Sequence, residues 1–140
     1  METITTIPPE LQAIIPCGQL FVTKKYIREY QYEIQWLAIA LKLCLAIGAT
    51  EKSKEHPAIF HYYFGGSDFY ICEYDPKDGI MFGYGILNRD LDNSEWGYFS
   101  ALEFAQSISL NIDYHFPVQT IEAALYKAYP KHFKKPQSLK

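Results

Sequence analysis

The hydrophobic pattern of the chain changes period once, near residue 50, and that switch constrains the fold more than any other feature. Before it, Ile27, Tyr30, Ile34, Leu37, Leu41, Cys44 and Leu45 recur at steps of three and four, the period of a helix with a buried face. The spacing predicts one long helix from residue 24 or 25 to residue 47, stopped by Gly48. Its second half is apolar on more than one face and must be covered twice, either by the sheet and smaller helices or by a second copy docking on residues 25–47 to form a homodimer. Upstream, Pro8 and Pro9 ahead of Leu11, Ile14 and Ile15 predict a short helix, and residues 19–23 a short strand.

After the switch the pattern reads as strands broken by turn residues. Residues 58–64, 69–74, 80–87, 95–99 and 111–116 are the predicted strands, with Gly65-Gly66 and Pro76 to Gly79 supplying turns. The third has two unlike faces, Ile80, Phe82, Tyr84 and Ile86 against Met81, Gly83, Gly85 and Leu87, so close approach by the long helix is expected on the glycine side. Ser100 with Glu103 forms a capping box, and Thr120 can cap a helix over residues 121–129. The expected fold is α+β: an antiparallel meander of four to five strands packed with one long helix and two or three short ones. At 140 residues it is read as a single domain, with a helical part over residues 8–48, a sheet-rich part over 57–129 and a basic tail over 130–140 that frays into solvent.

Cys17, Cys44 and Cys72 stand singly in apolar surroundings, against both a disulfide framework and a zinc knuckle, so a reducing cytoplasm is expected. No stretch reaches the roughly 20 apolar residues of a membrane span, and the first residues lack a secretory signal pattern. Residues 1–126 hold sixteen acidic and eight cationic side chains, whereas five lysines and no acid follow. That field opposes direct nucleic-acid binding by the body and suits a basic protein surface.

No nucleophile elbow, phosphate loop or metal-ligand spacing is present, so no catalytic residue, metal ligand or cofactor is assigned. The only groups suited to chemistry are His61, Glu73, Asp75, Glu95, Asp113 and His115. Alternation places His61 and Glu73 on one face of adjacent strands.

The segments FGGSDFYICEYDP, GIMFGYGILN, SEWGYFSALEF and NIDYHFPVQTIEAAL, in that order, resemble the bacterial DUF2958 family over residues 58–126. The resemblance maps family-motif positions onto Glu73, Asp75, Gly97 and Asp113, among others. The helix over residues 25–47 departs from it, as does Ile112, where the family tends to have arginine. Members look like cargo of plasmids, integrative elements and phages, which implies a context and not a mechanism.

The leading expectation is a non-enzymatic interaction protein of a mobile element, in one version an anti-CRISPR-like inhibitor of a bacterial defence system. Asp90, Asp92, Glu95, Trp96 and Tyr98 are its expected partner-binding surface, because aromatic anchors with acidic neighbours fit a basic partner. One alternative is a small metal-assisted hydrolase using Glu73, Glu95 and Asp113 with His61 or His115, which requires the carboxylates to converge. The other is a nucleic-acid accessory protein using the basic tail.

Overall fold

In the computed structural model, which describes residues 3–139, the chain forms an α+β fold around a five-stranded antiparallel sheet. Three helices come first: α1 (Pro9–Gln12), α2 (Cys17–Lys25) and α3 (Gln31–Leu43). The short strand β1 (Pro57–Ala58) leads into β2 (Phe60–Phe64), β3 (Ser67–Asp75), β4 (Ile80–Ile86) and β5 (Glu95–Ser100). Then follow α4 (Ala101–Gln106), β6 (Asn111–Ile112), β7 (Gln119–Thr120) and α5 (Ile121–Ala128). The sheet order is β5-β4-β3-β2-β6, a meander with β6 added at the far edge, while β1 and β7 pair separately. Both predicted caps form: Ser100 Oγ accepts from the Glu103 amide at 3.1 Å, and Thr120 Oγ1 from the Ala123 amide at 3.1 Å.

The sheet is buried on both faces because its alternating side chains are apolar on each. One face carries Phe60, Tyr62, Ile71 and Met81, covered by Leu11, Ile14, Ile34 and Leu37 of the N-terminal helical region. The other carries Tyr70, Cys72, Tyr84 and Ile86, covered by Ile121, Ala124 and Leu125 of α5. An irregularity between Ile71 and Glu73 shifts the register, so that Glu73 pairs with Phe82 and Tyr74 with Met81. Bulges of this kind re-aim a side chain, and here Glu73 turns to the α5 side while Tyr74 joins the other core.

The long helix over residues 25–47 does not form as one piece. Residues 19–23, expected as a strand, lie within α2, and the chain leaves helical geometry at Tyr26 before α3 begins. A tertiary clasp holds the break open: Gln31 accepts from the Ile4 amide at 2.6 Å and donates to the carbonyls of Ile4 and Ile27 at 2.8 and 2.7 Å. At its other end α3 stops at Leu43 because Leu45 bridges to β3, its carbonyl accepting from the Tyr74 amide at 2.9 Å. Of the apolar second half expected for that helix, only the part in α3 is helical, and Tyr32, Ile39 and Leu43 of α3 are exposed.

Three further expectations change. The atoms nearest the two glycines of β4 belong to the sheet and not to the long helix: Gly83 lies against the Tyr70 and Ile71 backbone, and Gly85 against Phe69 and Phe99. The strand expected over residues 111–116 stops at Ile112, since Asp113 accepts from the His115 amide at 2.9 Å and turns the chain. The basic tail docks instead of fraying. Phe133 meets Tyr84 edge-on, Pro136 is buried, and the Ser138 amide and hydroxyl donate to the Glu55 carboxylate at 3.0 and 2.6 Å.

The β6 edge is deliberately closed. Its pairing parity follows from the Asp113 amide donating to His61, which leaves the Ile112 N–H and C=O pointing off the sheet. Gln19 meets both, accepting from the Ile112 amide at 2.7 Å and donating to its carbonyl at 2.9 Å. Gln19→Ala strands two backbone groups of a buried residue and is expected to cost about 1–3 kcal/mol. The check is the shift in urea midpoint, together with faster hydrogen exchange at the Ile112 amide.

Candidate protein-interaction surface

At the opposite edge β5 is open. It pairs with β4 in unbroken register, Ile80 with Ser100 through Gly85 with Glu95, and no strand lies beyond it among the described residues. The Ala101 amide donates to the Gly79 carbonyl at 2.8 Å, which fixes the parity of this ladder. Odd-numbered residues of β5 therefore bond inward to β4, and the N–H and C=O groups of Trp96 and Tyr98 point outward.

Beside this edge lies a hollow of about 400 Å³. Its floor is Gly85 and Gly97, neighbours on adjacent strands that bring no side chain to that face. Phe69 and Phe99 wall it, and Leu87, Asp90, Glu95 and Tyr98 border it. Asp90 reaches the rim through a tight turn over residues 87–90, in which its amide donates to the Leu87 carbonyl at 2.8 Å. The two central residues, Asn88 (φ 50°) and Arg89 (φ 60°), occupy the left-handed region that this turn requires. Arg89 is strained there, with the Gly66 carbonyl accepting from its amide at 2.8 Å and its side chain laid against Gly66.

The structure divides the five residues expected at a partner surface. Asp90 and Glu95 border the hollow, and Tyr98 lines it from the strand while its 67% exposed side chain stands on the face of Trp96, the ring 5.1 Å from Phe82. Asp92 sits in the helical turn over Leu91–Asn93 and does not line it. Trp96 faces the other way, its ring 4.3 Å from His56, 5.7 Å from Phe82 and 5.3 Å from Tyr84. Gly97, singled out only as a family-motif position, is the floor, and a Cβ there would meet nothing within 4 Å. Pairing across strands made this hollow, so no one-dimensional spacing could reveal it.

The carboxylates of the hydrolase alternative stand apart. Glu73 is buried in β3 on the α5 side, Glu95 begins the open edge strand, and Asp113 follows β6 beyond the opposite edge. Among the described residues no three His, Cys, Asp or Glu side chains gather closely enough to hold a metal ion. Glu73 is a clasp: its carboxylate accepts from the Gly48 amide at 2.7 Å, the Thr50 amide at 2.8 Å and the Thr50 hydroxyl. Burial pushes its carboxyl up, but the bonds from Thr50 and Gly48 together outweigh that and hold it below its ordinary value. Asp75 serves the β3–β4 turn, accepting from the Lys77 amide at 3.0 Å.

His61 and Glu73 do share a face, as alternation suggested, but they have different partners. His61 Nε2 lies 2.8 Å from Asp68 and Nδ1 3.7 Å from Asp113, with the ring stacked 4.6 Å from Tyr70. His115 pairs instead with Glu33 of α3 at 3.2 Å. Burial pushes the Cys44 and Cys72 thiols up to about 12, helped at Cys44 by Cys72 and at Cys72 by Glu73, so neither supplies a thiolate near neutrality.

No family model matches the chain, no curated protein is similar to it, and no solved structure resembles it. Among the described residues no helix is long and apolar enough to cross a membrane.

Proposed function

We propose that this chain is a protein-interaction module whose β4–β5 edge receives a basic partner. The observation that carries this reading is the rim: Asp90 and Glu95 flank an aromatic-walled hollow, and among the described residues neither has a cation within ion-pair distance. The Asp90 carboxylate accepts from the Asn93 side chain at 2.7 Å and has no other hydrogen bond among the described residues. Carboxylates left free around a concave apolar surface favour a cationic anchor and speed its approach. The resemblance to DUF2958 supports a mobile-element setting, and inhibition of a defence effector with a basic nucleic-acid channel is the concrete version of this role.

Charge reversal tests it. The tagged protein is used to capture partners from nuclease-treated extract of its source cells, side by side with Asp90→Lys/Glu95→Lys. One stoichiometric protein with a basic surface is expected on the parent, reduced at least tenfold on the variant and weakened by added salt. Identical protein sets on both, with circular dichroism unchanged, would overturn the reading.

A further inference from the structure

The two edges of the sheet are treated unlike each other. A free edge is a template for another chain, and proteins blunt it with short strands, lysine, proline, bulges or a cover. At β6 the strand is two residues long and Gln19 satisfies its outward groups. At β5 none of these devices is present: the strand runs six residues without lysine, proline or register shift. The Trp96 and Tyr98 amides and carbonyls have no partner beyond the sheet among the described residues.

We infer that β5 accepts an extended basic segment of a partner protein as a sixth strand, with a lysine or arginine across from Gly97 entering the hollow. This rests on the interaction reading above and specifies its mode. Residues directly opposed across two strands point to the same face, so the partner residue beside Gly97 aims its side chain over the hollow. Gly97 adds no side chain to block it, Phe69 and Phe99 flank the aliphatic stem, and Asp90 and Glu95 meet the charge. The nearest cation in sequence, Arg89, is turned against Gly66. A second copy is a poor occupant, because pairing β5 with itself sets one acidic rim against another. The lysine tail of a second copy is held on its own body through Phe133 and Ser138.

Strand addition has a signature that surface charge alone lacks. On an incoming antiparallel strand, amides facing Trp96 and Tyr98 bond to β5, while the amide across from Gly97 points away. The test pans a displayed library of random twelve-residue peptides against the full chain, with counter-selection on Gly97→Val, which fills the floor. Selected peptides are then remade with one N-methyl group at each position in turn. The expected result is a lysine or arginine flanked by β-branched residues, with affinity falling at least tenfold at alternate positions and little changed between them. The Trp96 and Tyr98 amides should also exchange at least tenfold more slowly in the complex. Basic peptides that tolerate methylation everywhere would overturn strand addition and leave the basic-partner reading standing. Enriched peptides without a cation, or no enrichment over Gly97→Val, would overturn both.

Discussion

Gly83→Ala is expected to leave the chain without a stable fold. A Cβ at this position would lie 1.9 Å from the Tyr70 carbonyl oxygen and 2.9 Å from the Ile71 Cα, and backbone cannot step aside as a side chain can. Relief requires β3 and β4 to separate where the bulge already disturbs their register, in the middle of the sheet. The cost should exceed about 4 kcal/mol, a large share of the roughly 5–15 kcal/mol that stabilises a domain. Gly97→Ala is the internal control. It occupies the paired position on β5, meets open space, and is expected to stay within about 1 kcal/mol of the parent. Thermal unfolding of the two variants in parallel decides the matter, and similar midpoints would sink the argument.

The second large effect belongs to Glu73. Replacing it with alanine leaves the Gly48 amide and the Thr50 amide and hydroxyl without acceptors and opens a void in a residue only 2% exposed. Bonds to a buried charge are worth about 1.5–3 kcal/mol each when one partner is lost, but they share one carboxylate, so about 3–4 kcal/mol in total is expected. For a chain of this size that is a fall of about 10 °C in Tm. Glu73→Gln, which keeps the volume but presents an NH₂ where an amide donates, should lose about half as much. The carboxyl is depressed below its ordinary 4.5 in the folded state, so its stabilisation is complete above that pH and drains away as the pH falls below it. The parent should therefore lose stability more steeply below pH 4.5 than Glu73→Gln does; parallel acid limbs would refute the assignment.

Much of the local structure was legible because local chemistry decided it. Ser100 and Thr120 cap their helices within three residues, and Gly65 (φ 55°) and Gly79 (φ 67°) turn where a left-handed backbone is needed. What escaped was set by distant partners. The helical period runs unbroken from Ile27 to Leu45, yet Gln31 spends its side chain on Ile4, and Leu45 is drawn into a bridge with Glu73. Glu73 looked like chemistry because a carboxylate in an apolar strand is conspicuous. Its three donors lie 23 to 25 residues upstream, in a stretch that reads as a polar loop. The acidic rim could be read from Asp90 and Glu95, whereas Trp96 is withdrawn by pairing on the opposite face. Nothing in the order of residues announces that Gln19 will cover Ile112, 93 positions away.

The two-sided sheet has a bearing on biosynthesis. The helical region that covers one face, residues 7 to 43, leaves the ribosome before any strand of the main sheet, whereas α5 and Phe133 follow β2 to β6. A nascent chain that has completed β5 can shelter Phe60, Ile71 and Met81 at once. It must still present Tyr70, Cys72, Tyr84 and Ile86 as a bare apolar sheet until residues 121–133 emerge. Exposed apolar surface of this kind is where folding intermediates aggregate or recruit chaperones. Slow docking of residues 121–133 would thus prolong the exposure of this face.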